Sequence, residues 1–494
     1  MSSAAIGLSA SRERSSGRGA IVPLGVFVAV AAWTALVYLP FWSLDGPDDS
    51  FYVEAAHLWT RGLPPYVGAF DVKAPGFFAV LAAAQLVFGA HLATLRGVTI
   101  LFTAIAATAL FCMSRAFHRR STAVLSAALF PILFEIYGDA AYAVLCGFTG
   151  LAFLAALSKL APIRKALLAG LAIGAACSVK QTAALEALAL LALIACDPAA
   201  KGKIAGAIAA FLAAASLAPL GFFAYYAIRG DLGVFLADVV GFALQRPDSA
   251  TDAISFSAGL RRALTLPIPL LPVCALAFLA LAAWRRLPAG FPVGAIALWL
   301  AAVLVSIAVQ HAVSAYYLAP ALAPLLLLAS SGLATAVEAS GPRRIVAALA
   351  MFGAVAVATS AALRGEAVLR GLRPVDRKAL ESAAAAIEAA RPAPTDKLLV
   401  VSRGGWLNVA TDLAPPTPYF HWFHTLCDFP GAGAGRLAEA LAAGPRFLVL
   451  ADPSKRFSCE LDSHRALIQA ALASYRLLIR ADGDYDSYAV YRRN

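Results

Sequence analysis

The chain reads as an α-helical polytopic membrane protein of about eleven spans, followed by a small α/β domain at its C-terminal end. Three observations predict this. Of its 494 residues, 61% are hydrophobic and 14% charged, whereas a soluble domain is about 45–50% apolar and about 25% charged. The apolar residues form runs of helix length, separated by short turns in which lysines and arginines cluster. Beyond Arg364 the pattern changes to short strand-like runs alternating with amphipathic helices.

The N-terminal tail, residues 1–19, carries Arg12, Arg14 and Arg18 ahead of the first run, about 20–41. That run exceeds the roughly 7–15 apolar residues of a signal-peptide core. It is therefore read as an uncleaved first helix that leaves a cytoplasmic N-terminus. Residues 42–95 then form one outer loop. Within it, Pro75 to Gly89 is apolar but short for a span, and is expected to lie in the interface or partly immersed. Counting it as a span would put Arg115, His118, Arg119 and Arg120 outside; leaving it out puts them inside.

The remaining spans follow at about 96–116, 121–137, 140–158, 166–178, 182–196, 204–227, 265–284, 291–309, 316–336 and 345–362. With this parity, the turns at Arg119, Lys165, Lys203, Arg285 and Arg343 all fall inside. Residues 20–362 thus make a membrane domain and 363–494 an extracytoplasmic one. The latter is expected to contain helices near 375–390 and 462–474, with strands at 397–401, 446–450, 475–479 and 488–492.

Composition also excludes function classes. A net charge of +11 would suggest nucleic acid in a soluble domain. Here the excess sits in the turns, and no basic-aromatic strip is present. Walker, Rossmann, HExxH and paired CxxC patterns are absent, so a nucleotide-driven pump or zinc enzyme has no support. No cofactor is required by the sequence, and a divalent cation stays open. Cys112, Cys146, Cys177, Cys196 and Cys274 fall in apolar runs as packing residues, while Cys427 and Cys459 lie in the polar C-terminal part, where an oxidising compartment could join them. His421 and His424 flank Trp422 without a nearby third ligand and read as an aromatic docking patch.

The stretch from Asp45 to Pro75 carries the chemistry. Asp48 and Asp49 stand side by side just past the first apolar run, at the membrane boundary. One carboxylate can take a proton from an acceptor hydroxyl while the other orients it or holds a cation; the competing reading is that they cap the helix that follows. Tyr52, Asp71 and Lys73 share the loop, and a lysine at headgroup level can bind a phosphate as a point charge or simply snorkel. Further polar groups fall at outer helix ends: Glu135 with Asp139, Lys180-Gln181, and Gln310-His311 with Tyr316-Tyr317. Lys180 is an outer lysine among inner ones, which suggests an anionic group beside it. Glu186 lies inside a span with no obvious partner. The pattern predicts chemistry on a lipid-borne substrate. A flippase binding the same lipid, or a noncatalytic lipid-glycan-binding subunit, are the competing classes; the first should show inverted repeats, which are not visible.

An acid pair closing the first helix, then RGLPPY, FDVKAPGFF and FG before Arg96, resembles the GT-C superfamily of polytopic glycosyltransferases, in the branch of protein O-mannosyltransferases and lipid A aminoarabinose transferases. Asp139, Lys180 in SVKQTA, and YYLAPALAP extend the likeness over about residues 20–330. The chain has KAP where many members read KPP, and Asp49 where many have Glu. The resemblance implies a membrane enzyme, in the bacterial inner membrane, moving a sugar from a polyprenyl-phosphate donor to a glycan, lipid or protein acceptor on the outer face, with inversion. It implies Asp48 as the catalytic acid-base residue with Asp49 beside it. Lys73 and Lys180 would lie at the donor phosphate, with Tyr52, Asp71, Asp139, His311, Tyr316 and Tyr317 in support. Arg246, Arg261 and Arg262 are further candidates for the phosphate.

Overall fold

A computed structural model describes residues 18–39, 42, 44–46, 48–241, 270–288, 290–309, 315–338, 353, 373–374, 376–401, 405–421, 433–451, 462–484 and 487–494. Helix α1 (Arg18–Tyr38) leads into a short connecting segment. There β1 (Leu44–Asp45) pairs antiparallel with β2 (Arg373–Pro374). The loop expected at 42–95 holds two helices, α2 (Asp49–Thr60) and α3 (Gly76–Phe88). α2 is buried along most of its length, and α3 leaves Leu86, Val87 and Phe88 largely exposed at its end.

The helical bundle continues with α4 (Leu92–Arg115), α5 (Arg120–Tyr137), α6 (Ala140–Ala156), α7 (Pro162–Val179), α8 (Ala183–Ala195) and α9 (Ile204–Arg229). Each boundary has a local cause. Asp139 accepts the Tyr142 N–H and caps α6. Pro162 opens α7, where its missing N–H costs nothing. Gly230 ends α9 with φ +82°, a conformation side chains resist. Starting at Pro162 draws Lys165 into α7, and its ammonium meets Asp197 at 2.5 Å; this cation, expected in a turn, is half of an ion pair. After α10 (Leu232–Leu236) come α11 (Leu271–Ala282), α12 (Val293–Val309) and a 3-10 turn (Ala315–Ala321) that runs into α13 (Leu322–Glu338).

Among the described residues, five helical stretches are long and apolar enough to cross a membrane: Leu92–Arg115, Arg120–Tyr137, Pro162–Val179, Ile204–Arg229 and Tyr316–Ala336. Further apolar stretches of 10–17 residues include Leu24–Tyr38 of α1, and the span expected at about 345–362 lies outside the described residues. Helices pack where small residues let backbones approach. A Cβ at Gly170 or Gly174 of α7 would strike the α9 backbone at Phe211 or Ala215, and one at Gly332 of α13 would strike Leu276 of α11. Glu186 does have a partner: Trp299 on α12 donates its indole N–H to the carboxylate at 2.6 Å, and Phe153 stacks on that indole. The sequence could not show this because the partner comes from a distant helix.

The C-terminal part forms a four-stranded sheet in the order β3 (Leu398–Val401), β4 (Phe447–Ala451), β6 (Ser487–Arg493), β5 (Tyr475–Asp482). β3 and β4 run parallel and the other neighbours antiparallel. One face packs Leu398, Val400, Phe447 and Val490 against Ala383 and Ile387 of α14 (Arg377–Ala389). The other packs Leu399, Val401 and Leu448 against Leu437 and Ala440 of α16 (Gly433–Ala442), with Leu467 and Ile468 of α17 (Asp462–Leu472) beside them. Covering on both faces explains why β3 and β4 read as unbroken apolar runs, whereas β5 keeps Leu477 46% exposed.

Between β3 and β4 the chain turns back to the helical bundle. Helix α15 (Trp406–Thr411) lies on α2, and Trp406, Ala414 and Phe420 enter the bundle's apolar core. Asp412 accepts from both His57 and Arg61 of the α2 end at 2.9 Å. Phe70 donates its N–H to the Pro418 carbonyl at 2.9 Å. Residues 405–421 therefore close over the loop that carries the acid pair.

Candidate active site

The acid pair divides. Asp48 occupies the position before the first turn of α2, yet its side chain makes no capping hydrogen bond. Its carboxylate instead faces the Tyr52 hydroxyl at 3.4 Å and His421 Nε2 at 3.5 Å. Asp49 turns the other way. It accepts the Gly46 N–H and pairs with the Arg96 guanidinium, each at 2.7 Å, while Arg96 also donates to the Leu44 carbonyl at 2.6 Å. Asp49 is 7% exposed and Arg96 8%. So Asp49 pins the start of α2 to α4, and Asp48 is held out beside it.

The lysine loop is built from its own carboxylate. Asp71 Oδ1 accepts the N–H groups of Val72 (2.6 Å) and Lys73 (3.0 Å), and Oδ2 lies 3.2 Å from the Lys73 ammonium. The ammonium sits 5.0 Å from the centre of the Tyr52 ring. Burial alone would draw the Lys73 pKa down, but Asp71, Asp48 and Asp139 carry it above the ordinary lysine value. Lys73 therefore stays cationic. Asp139 is displaced upward, first by burial and also by Asp48, against its Tyr142 hydrogen bond and the pull of Lys73 and Lys180. Tyr52 is raised well above the usual phenol value by burial, with Asp139, Asp48 and Asp71 adding to it. These mutual influences link Asp48, Asp71, Asp139 and Lys73 through the Tyr52 side chain, with Lys180 joined to them through Asp139.

Lys180 enters from the end of α7. Its ammonium hydrogen-bonds the Tyr142 hydroxyl and lies 4.3 and 4.4 Å from the Tyr142 and Tyr317 ring centres. Tyr316 stands 5.5 Å from the Tyr142 ring. The weakly separated YY pair of the sequence thus forms an aromatic wall on which the second cation rests.

Of the expected site residues, Asp48, Tyr52, Asp71, Lys73, Asp139, Lys180, Tyr316 and Tyr317 come together. Asp49 adjoins them but is committed to Arg96. His311, His424, Cys427 and Cys459 lie outside the described residues, as do Arg246, Arg261 and Arg262. Among the described residues no three His, Cys, Asp or Glu side chains are grouped to hold a metal. Arg96, Tyr142 and His421 were not picked out as site residues. Arg96 had a partial signal: a lone cation opening an apolar helix needs a counter-charge, though the sequence does not say which acid supplies it. His421 packs on Phe51 of α2 at 4.8 Å, as a docking patch would, but its closeness to Asp48 depends on the fold-back of residues 405–421.

The long helical bundle with its closing C-terminal sheet has the fold of solved GT-C glycosyltransferases. No family model and no curated protein matches the chain by sequence. The crystal structure of ArnT from Cupriavidus metallidurans bound to undecaprenyl phosphate superposes with a TM-score of 0.61 at 16% identity, over 96% of this chain and 98% of that one. Its apo form gives 0.61 at 15%, over 95% and 98%. The arabinofuranosyltransferase AftD from Mycobacteria gives 0.56 at 16%, over 95% of this chain and 40% of that one. At these identities the likeness shows the fold.

Proposed function

We propose that this protein is an inverting membrane glycosyltransferase that takes a sugar from a polyprenyl-phosphate donor and places it on a glycan, lipid or protein acceptor at the outer membrane face. The observation that carries this reading is a carboxylate, Asp48, that makes no capping hydrogen bond and faces the hydroxyl of Tyr52, over whose ring the Lys73 ammonium lies. In the reaction Asp48 accepts the proton of an acceptor hydroxyl as that oxygen attacks the anomeric carbon. The sugar–phosphate C–O bond breaks on the opposite face, and the electron pair leaves on the polyprenyl phosphate. Lys73 and Lys180 are the cations assigned to that developing negative charge. Asp71 keeps Lys73 charged and aimed, Tyr52 lies between the acid and the first lysine, and Asp49 fixes the helix end from which Asp48 projects.

The membrane reading accompanies this. Eleven spans would place the N-terminus in the cytoplasm and the C-terminal sheet outside, in a bacterial inner membrane. The contacts of residues 405–421 with α2 support a shared face for the sheet and Asp48. ArnT was crystallised with undecaprenyl phosphate, which supports a polyprenyl-phosphate partner here. Removal of the protein from its host, followed by lipid extraction, tests the proposal. A polyprenyl-phosphate sugar should accumulate in the host, and the purified protein should consume it while wild-type membranes supply the acceptor. If the sugar is translocated across vesicles without being transferred, the protein is a flippase.

A further inference from the structure

Gln181 follows Lys180 directly, and nothing in the reaction above uses it. Its side-chain nitrogen lies 3.2 Å from the carbonyl of Val72 and 3.3 Å from the carbonyl of Val239. Two carbonyls can only accept, so the group between them must be the amide –NH₂, which has two N–H donors to give. Val72 is the residue before Lys73. The path from one lysine to the other is therefore short: Lys180, the Gln181 side chain, one hydrogen bond, Val72, Lys73. The next carbonyl is also held, since Tyr66 donates its hydroxyl to Lys73 O at 2.6 Å. Tyr66 does this from a φ of +72°, a region that costs a non-glycine residue on the order of 1–3 kcal/mol and survives only where surroundings impose it. Its ring is fixed against Tyr226 and Phe235.

We propose that Gln181 is a positioning residue that sets the spacing of Lys73 and Lys180 for one phosphate, with Tyr66 as its counterpart on the Lys73 carbonyl. The inference rests on the assignment of both lysines to the donor phosphate. An amide is the group this place requires. A carboxylate would oppose two carbonyl oxygens, an apolar side chain of equal length would leave both carbonyls unpaired, and asparagine would fall one methylene short.

The test uses the full-length protein in nanodiscs, with undecaprenyl phosphate and undecaprenol as probes. Wild-type protein should bind undecaprenyl phosphate more tightly than undecaprenol. Gln181→Met and Gln181→Glu should each weaken undecaprenyl phosphate about tenfold and leave undecaprenol unchanged. Gln181→Asn should fall between wild type and Gln181→Met. Tyr66→Phe, which removes one oxygen, should follow the same pattern and guards against a Gln181 variant that does not fold. Because the effect runs through Lys73, Gln181→Met should add nothing in a Lys73→Ala background. An equal loss in that background would mean general damage to the loop and overturn the proposal, as would unchanged binding in both Gln181→Met and Tyr66→Phe. If wild type binds both probes alike, or Lys73→Ala changes nothing, the phosphate assignment itself fails and the proposal falls with it.

Discussion

Asp48→Asn and Asp49→Asn are the same chemical change one residue apart, and the structure gives them opposite outcomes. Asp48 makes no side-chain helix cap, and Tyr52 and His421 stand 3.4 and 3.5 Å from its carboxylate. An amide there keeps the shape and an acceptor for Tyr52, so stability should move by no more than about 0.5 kcal/mol. Its ability to take a proton is gone, and loss of a general base costs about 10²–10⁴-fold in rate. Asp49 is bonded to Arg96 in a site where both side chains are about nine-tenths buried. Neutralising it strands a buried guanidinium, a loss of about 3–5 kcal/mol when one partner of such a pair is removed. Against a typical total of about 5–15 kcal/mol that is a severe destabilisation. The assay is paired: thermal unfolding of each purified variant in the same detergent, and turnover of the polyprenyl-phosphate sugar that accumulates without the protein. Asp48→Asn should melt like wild type and be nearly inactive. Asp49→Asn should melt far lower, with activity lost in proportion to folded protein. Near-wild-type turnover in Asp48→Asn, or an Asp49→Asn protein as stable as wild type, would refute the division of labour.

Three further outcomes are expected. Lys73→Ala and Lys180→Ala should raise the KM for donor more than for acceptor, with arginine restoring part of the loss at either site; unchanged donor KM in both would show that the lysines only snorkel. A single cysteine at Ser382 in a cysteine-depleted background should react with an impermeant reagent from outside, and one at Ser11 should not; the reverse result would undo the proposed outer face. Glu54, 1% exposed, has its pKa raised to about 8, first by burial and then by Asp412, against Arg61. A raised folded pKa contributes stability below the unfolded value of 4.5, lost as pH rises through about 8. Melting temperature should therefore fall between those limits, and Glu54→Gln should flatten the fall; an equal slope in the variant would exclude Glu54 as its source.

Much of this molecule was legible in the chain because the cues are local. Apolar run length and cation-bearing turns placed α4, α5, α7 and α9 within a few residues, since a helix in lipid must satisfy its own backbone. The C-terminal strands appeared at 398–401, 447–451, 475–482 and 487–493, near their expected places; for the first two, burial on both faces leaves unbroken apolar runs. Asp48, Lys73 and Lys180 could be named because charges at the ends of apolar helices are costly and therefore few.

Partnership was not legible. The sequence shows two adjacent aspartates as near equals, and only the arrival of Arg96 from α4 turns one into an anchor and leaves the other to the site. Glu186 had no visible partner until α12 brought Trp299 to it, and His421 reaches Asp48 only because residues 405–421 fold back over α2. Composition and run length are properties of the chain taken a turn at a time. Which carboxylate is neutralised, and which is left to face the site, depends on groups brought within about 4 Å by elements distant in sequence, since at that range burial and pairing decide what a carboxylate can do.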